Sequence, residues 1–278
     1  MRVKILSGIT LAFFFTFVFA FALWNVVVSF LRWEGLFPTP NFFGLNNYVG
    51  LWGYSPFNVA LINTLFLTVF FVPITLFIAI LIAILLDQIK GGVFFRTIYM
   101  LPFAIAPSAA GIMWSWMFNP SNGTINNLLR LLGFNANIYW IIDRSLVMYS
   151  IMLGLIWQTS GYVTLIILAG ILSIPTVQIE ASKIDGASTL RIYFSVILPQ
   201  LKEAILTAWL FLMIFAVKVF DFIYTLTGGG PGIASYVLGI LLYNASFIGL
   251  DFGKGSAIAT LMVLYALIFY LISLKVRR

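Results

Sequence analysis

The sequence predicts an all-α integral membrane protein of six transmembrane helices with one long polar loop on its inner side. Three observations predict it. Of the 278 residues, 62% are apolar and only 8% are charged. The mean hydropathy is +1.09. The apolar residues also gather in runs long enough to cross a hydrocarbon core. A soluble domain of this size needs more charge to cover its surface, so the solvent is lipid. Backbone groups in lipid must be bonded within their own segment, and each run is therefore read as a helix.

The first run, 5–30, follows Arg2 and Lys4 and contains Ala20-Phe21-Ala22, features that resemble a cleavable signal. It is too long for a signal's apolar core and is expected to be an uncleaved first span. Further runs fall at 57–86, 98–118, 146–172, 204–226 and 255–274. The expected units are thus 1–57 (first helix and outer loop), a five-helix core over 58–274 and a tail, 275–278. Residues 31–56 and 119–145 are rich in Asn, Gly, Pro and Trp and predict an outer cap of short helices and turns. Residues 233–247 are apolar but too short to cross, and they follow Gly228-Gly229-Gly230-Pro231-Gly232. They are read as an interfacial or buried outer helix. Pro73, Pro102 and Pro107 stand inside apolar runs, where each removes a helical hydrogen bond and kinks the helix. Ordinary membrane-helix packing tolerates this; Pro102 and Pro107, five residues apart, also suit a bent helix that lines a pathway.

Orientation follows from charge. With the N-terminus inside, the cytoplasmic side carries Arg2, Lys4, Lys90, Arg96, Lys183, Arg191, Lys202, Lys275, Arg277 and Arg278. The outer side carries Arg32, Arg130, Arg144 and Lys254. That bias puts both termini in the cytoplasm. The basic residues are scattered through short loops and form no stripe, so nucleic acid is not a partner. The chain has no cysteine and no histidine. Disulfides, thiolate or histidine metal sites, a Ser-His-Asp triad and a histidine proton relay are therefore excluded. Gly253-Lys254-Gly255-Ser256 fails as a phosphate loop: Ile248 stands where the first Gly is needed, and Gly255 where Ser or Thr must follow Lys.

Two polar groupings lie inside spans. Lys218 and Asp221, at i and i+3, either face a pathway or form a structural ion pair near the outer interface. Trp157-Gln158-Thr159-Ser160-Gly161-Tyr162-Val163-Thr164 mixes hydroxyl and amide groups with aromatic rings. That mixture suits sugar recognition, and equally interhelical packing. Gln158, Ser160, Tyr162, Thr164, Phe215, Lys218 and Asp221 are the candidate pathway residues, with Gln158 and Tyr162 (i and i+4) the chosen ligands.

The most informative segment is the inner loop 173–203. It opens with Ile174-Pro175, continues through Glu180-Ala181-Ser182-Lys183-Ile184-Asp185-Gly186-Ala187 and closes with Ile197-Leu198-Pro199. Val177, Ala181 and Ile184 share a helical face, and Gly186 permits a sharp turn. Two short helices meeting at a glycine are expected, lying along the inner face of the membrane. An amphipathic linker would read similarly.

This loop resembles the signature of binding-protein-dependent ABC importer permeases: Glu-Ala-Ala, three residues, Gly, then Ile-x-Leu-Pro. Ser182 stands where Ala is common and Val196 where Ile is common. The maltose- and glycerol-phosphate-type sugar branch is similar further along the chain, over about residues 58–272. The similar stretches are Asn63-Thr64, Leu101-Pro102, Met117-Phe118-Asn119-Pro120 with Gly123 and Asn126, and Phe220-Asp221 leading to Thr227-Gly228-Gly229-Gly230-Pro231.

The resemblance implies the ABC type I importer permease fold in a bacterial or archaeal cell (inner) membrane. The chain would be a non-catalytic subunit forming half of the pathway for a sugar or sugar derivative. Glu180, Ala181, Ser182, Asp185, Gly186 and Ala187 would couple it to a separate ATPase. Its partners would be a second homologous permease, two ATPase subunits and an extracytoplasmic binding protein. It would hold no cofactor, ATP and Mg being bound by the ATPase. The family's maltose-transporting member has polar substrate contacts on the span-five face that here reads Leu212, Phe215, Ala216 and Val219. A sugar bound there would rest on aromatic stacking.

Two rivals belong to other classes. An ion-coupled carrier usually shows internal repeats and acidic sites near mid-membrane, whereas Asp221 is the sole carboxylate within a predicted span. A membrane enzyme needs clustered catalytic groups. The orientation is testable: Ser188→Cys is expected to react with an impermeant thiol reagent only from the cytoplasm and Ser121→Cys only from outside, with no native thiol to remove. The reverse pattern would overturn it.

Overall fold

The computed structural model describes residues 2–37, 41–89 and 91–277; Lys90 and Arg278, counted above among the inner charges, lie outside them. Every apolar run is helical, but two of the six are broken. Helix α1 (Arg2–Ser29) is followed by an antiparallel pair, β1 (Leu31–Arg32) and β2 (Asn41–Phe42), and by α2 (Asn46–Trp52). The first cap segment therefore holds extended pairing as well as the helices and turns expected of it. Asn47 Nδ2 draws the strand start inward by donating to the carbonyls of Ser29 and Leu31, both at 2.9 Å.

Helix α3 (Ser55–Gln88) runs unbroken for 34 residues. Just before Pro73 the helix widens into a π turn over Leu67–Phe71, in which the Val72 amide donates five residues back to Leu67. That shifts the ladder just where proline has no N–H to offer.

The third run divides into α4 (Val93–Ala104) and α5 (Pro107–Met117), bent by 92°. There is one break here, not two kinks: Pro102 is accommodated inside α4, and Pro107 opens α5. Proline drives the residue before it out of the helical region, and Ala106 accordingly has ψ 133°. Cap helix α6 (Thr124–Leu131) then leads to α7 (Val147–Leu172). Asn126, fully buried in α6, donates to the carbonyls of Pro120 and Ile138 and accepts from Trp140 Nε1.

Beyond α7 come α8 (Thr176–Ile184), α9 (Thr189–Gln200) and α10 (Lys202–Lys218), the last two bent by 69°. The fifth run was expected to continue to 226, but α10 stops at Lys218 and a separate helix, α11 (Asp221–Thr227), takes over. Helix α12 (Leu238–Ile248) is the short apolar helix; its Leu238, Gly239, Ile240 and Leu241 are buried, which decides between the buried and interfacial readings. Helix α13 (Phe252–Arg277) ends the bundle.

Helix α7 is the axis. Of its apolar window 61% is buried, against 33% for α3 and 17% for α13. It packs on α3, α4 and α10. Lipid tails are as apolar as leucine, so close approach and hydrogen bonds, not hydrophobicity, must hold these helices together. Gly161 provides such an approach, since a Cβ there would overlap the carbonyl of Tyr99. Helix α1 sits apart, leaning on α13 through Asn25 Nδ2, which donates to Thr260 Oγ1 at 3.1 Å. Its Phe13, Phe14, Phe17 and Phe21 are exposed, as a lipid-facing surface requires.

Candidate functional site

Two places stand out, the α8–α9 loop at one end of the bundle and the two helix breaks within it. Helix α8 ends in a Schellman turn: the Ala187 amide donates to Ser182 O and the Gly186 amide to Lys183 O, both at 3.0 Å. The turn requires a left-handed residue, and Gly186 supplies it with φ +77°. Ser188 then caps α9 by accepting from the Arg191 amide. The Gln200 side chain bridges the helices by donating to Gln178 Oε1 at 2.8 Å.

Ile179 and Ala187 pack on the main core, as do the buried Ile192, Tyr193 and Ile197. The opposite side faces outward: Val177 is 71% and Ile184 86% exposed, beside exposed Glu180, Ala181, Asp185 and Gly186. Ser182 and Ala187 are half-buried. The six residues expected to couple to an ATPase therefore lie on a single turn, four of them exposed. The sequence reading missed the anchor beneath them. Tyr193 Oη donates to Asp87 Oδ2 at the end of α3, at 2.6 Å. Burial, and then this hydrogen bond, push the Tyr193 phenol far above its ordinary value, so it remains a donor at any physiological pH.

The predicted pathway residues divide into two layers. Gln158 and Tyr162 do share a face of α7, but that face is packed against α4, its break and α10. Gln158 is buried, and its Nε2 donates to the carbonyl of Ile105 at 3.2 Å, the carbonyl released by the α4–α5 break. Tyr162 stacks on Phe103 at 4.4 Å between ring centroids and lies 4.7 Å from Phe211. Ser160 accepts from Tyr99 Oη, and Thr164 is fully buried. Tyr99 and Phe103 of α4, with the carbonyl of Ile105 just past it, give Ser160, Tyr162 and Gln158 Nε2 their partners, whereas Thr164 Oγ1 and Gln158 Oε1 are buried without a hydrogen bond among the described residues.

The second layer is open. Lys218 and Asp221 are not on one helix and form no ion pair with each other, because Val219 (ψ 120°) and Phe220 (φ −137°) interrupt it. Both are exposed, and with Phe215 they line a cleft of about 190 Å³ closed by Pro107, Val219, Phe220 and Phe222. Thus the two helix breaks meet at one cavity. Phe220, Tyr224, Tyr243 and Phe247 extend an aromatic wall beyond it, with neighbouring centroids 5.0–5.6 Å apart. Pro107 was legible as a contributor; the wall from α12 was not, since it is distant in sequence.

Residues 54–277 match the family model described as binding-protein-dependent transport system inner membrane component. The chain belongs to this family. It is a multi-pass permease subunit of an ABC importer. A probable ABC transporter permease protein of Pyrococcus horikoshii is 43% identical over 92% of this chain and 88% of the relative. The xylose/arabinose import permease protein of Haloferax volcanii is 38% identical over 88% of this chain and 78% of its own length. The trehalose/maltose transport system permease protein of Thermococcus litoralis is 34% identical, covering 87% and 81%. Among solved structures, a bacterial ABC transporter involved in import of the acidic polysaccharide alginate shares the fold. Its TM-score is 0.83 at 20% identity, with 100% of this permease and 97% of that chain covered.

The α8–α9 turn makes a local prediction. No atom lies within 4 Å of a Cβ built on Gly186, so only backbone strain opposes substitution. A left-handed L-residue costs about 1–2 kcal/mol, less for Asn and more for β-branched side chains. Gly186→Val is expected to speed tryptic cleavage at Lys183 and Arg191 of the detergent-solubilised permease, and Gly186→Asn to leave it near native. Equal rates for all three would show that the turn does not depend on the glycine.

Proposed function

We propose that this permease forms half of the translocation pathway for a sugar or sugar derivative in a bacterial or archaeal cell membrane, with both termini cytoplasmic. In this reading it is non-catalytic and holds no cofactor. ATP and Mg are bound by two separate ATPase subunits, a second homologous permease completes the pathway, and an extracytoplasmic binding protein delivers the cargo. The observation that carries the reading is the α8–α9 turn, a rigid projection with an apolar and acidic outward surface and a buried base. Such a surface suits insertion into a partner groove, where Val177 and Ile184 fill apolar space and Glu180 and Asp185 meet basic groups. The names of the relatives from Haloferax and Thermococcus support a carbohydrate cargo.

The cleft at the two breaks is the proposed contact with cargo. Interrupted helices offer free backbone groups where a continuous helix offers none. Lys218 can donate to a sugar hydroxyl and Asp221 can accept, while Phe215 and Phe220 offer flat faces to C–H surfaces. Gln158, Ser160 and Tyr162 act one layer behind, holding α4 and the break in place.

Two experiments test this. When the unaltered permease is expressed with its ATPase and purified, the ATPase is expected to co-purify, and Gly186→Val to lose most of it while still inserting in the membrane. Retention equal to the unaltered permease would sink the docking assignment. For cargo, Phe215→Ala and Lys218→Ala should each weaken uptake at limiting substrate roughly ten- to a hundred-fold, the equivalent of about 1–3 kcal/mol for a lost contact in a desolvated site. Substrate-free ATP hydrolysis should persist. Native uptake in both variants would move the cargo site to the partner permease.

A further inference from the structure

Helix α9 touches the membrane-crossing bundle through few side chains. Leu190 and Phe194 are exposed, while Ile192, Tyr193 and Ile197 turn inward. Apolar contacts among them can slide; the Tyr193–Asp87 hydrogen bond cannot without breaking, because it is short, directional and charge-assisted. Asp87 lies one residue from the end of α3, which is unbroken from Ser55 to Gln88. At the other end of that helix, Asn63 Nδ2 donates to the carbonyls of Ala234 and Tyr236, both at 2.8 Å. Thr64 Oγ1 accepts from the Leu238 amide at 3.2 Å.

Residues 234–238 lead straight into α12. There Gly239 abuts the carbonyl of Val219, and Tyr243 lies 5.0 Å from Phe220, at the rim of the cleft. One rigid element about 36 Å long between Asn63 and Asp87, at 1.5 Å per residue, is thus pinned to the loop at one end and to the cleft wall at the other.

We propose that the Tyr193–Asp87 bond is the tie through which displacement of the α8–α9 loop reaches α3, and that α3 carries it as a connecting rod to the α12 wall of the cleft. The inference rests on the reading that α8 docks an ATPase. Tyr193 and Asp87 are positioning residues in it, touching neither ATP nor cargo. The contacts form a contiguous path, and in the docking reading a displacement of the loop on ATP binding would supply the two states that such a path must connect.

The test needs no cargo. In the assembled complex, Tyr224→Cys on the aromatic wall is the sole thiol of this permease, and its labelling by a maleimide is followed with and without ATP plus vanadate. The nucleotide is expected to change that rate. Tyr193→Phe keeps the ring and deletes the donor. It should shrink the nucleotide-dependent change about fivefold or more, the lower end of ordinary coupling energies. ATPase retention and ATP hydrolysis should stay native. Asp87→Asn keeps an acceptor oxygen and should preserve most of the response, whereas Asp87→Ala should not. The proposal is overturned if Tyr193→Phe shows the full change, or if its response falls only in step with ATPase retention, which would make the bond a fold contact alone. Failure of the docking reading looks different: the unaltered permease would then not retain the ATPase at all.

Discussion

In a hydrocarbon solvent every backbone amide and carbonyl must find its partner inside the protein, and most of this fold follows from how that demand is met where helices stop. A continuous helix meets it alone. The α4–α5 break does not, and it exposes the carbonyl of Ile105, which Gln158 of α7 binds. The chain between α11 and α12 has the same problem, and Asn63 and Thr64 of α3 answer it by binding Ala234, Tyr236 and Leu238. The two most polar stretches of α3 and α7 therefore face the irregular parts of the bundle. An unpaired amide there would cost several kcal/mol, on the order of a large fraction of a domain's stability.

That arrangement makes a cavity possible without making the bundle loose. Helices α3 and α7 are the uninterrupted members of the interior, and the broken ones are laid against them. Because α5 and α11 are short, their ends and those of α4 and α10 converge, and the cleft lined by Phe215, Lys218, Phe220 and Asp221 occupies the convergence. The same residues in two intact helices would be spread along lipid-facing surfaces. Of the polar and aromatic groups of α7, Gln158 binds the break itself, and Ser160 and Tyr162 meet Tyr99 and Phe103 of α4, so they support the broken helix.

The α8–α9 turn obeys a different constraint. It lies outside the apolar runs, so its exposed face is free to carry Val177 and Ile184 beside Glu180 and Asp185, while its hydrogen bonds are closed locally by the Gly186 turn and the Ser188 cap. Rigidity there comes from backbone geometry and attachment from Ile192, Tyr193 and Ile197. A projection that is stiff, accessible and tied to α3 can pass a force on, which a solvated flexible loop cannot.

Sequence by itself determined the solvent, the helical class, the six apolar segments and the glycine turn with its flanking short helices. Each depends on a local property: run length, charge, or a residue that alone adopts positive φ. It also carried the break at Pro107, because proline dictates the conformation of Ala106 wherever it stands. The interruption at Val219 and Phe220 was not legible. No glycine or proline marks it, and the residues packed against it, Gly239 and Tyr243, come from a helix twenty residues later. The Tyr193–Asp87 tie, spanning 106 positions, and the inward turn of Gln158 were likewise decided only by tertiary structure. A side chain's partner across a bundle depends on which helices lie side by side, and neither periodicity nor composition records that.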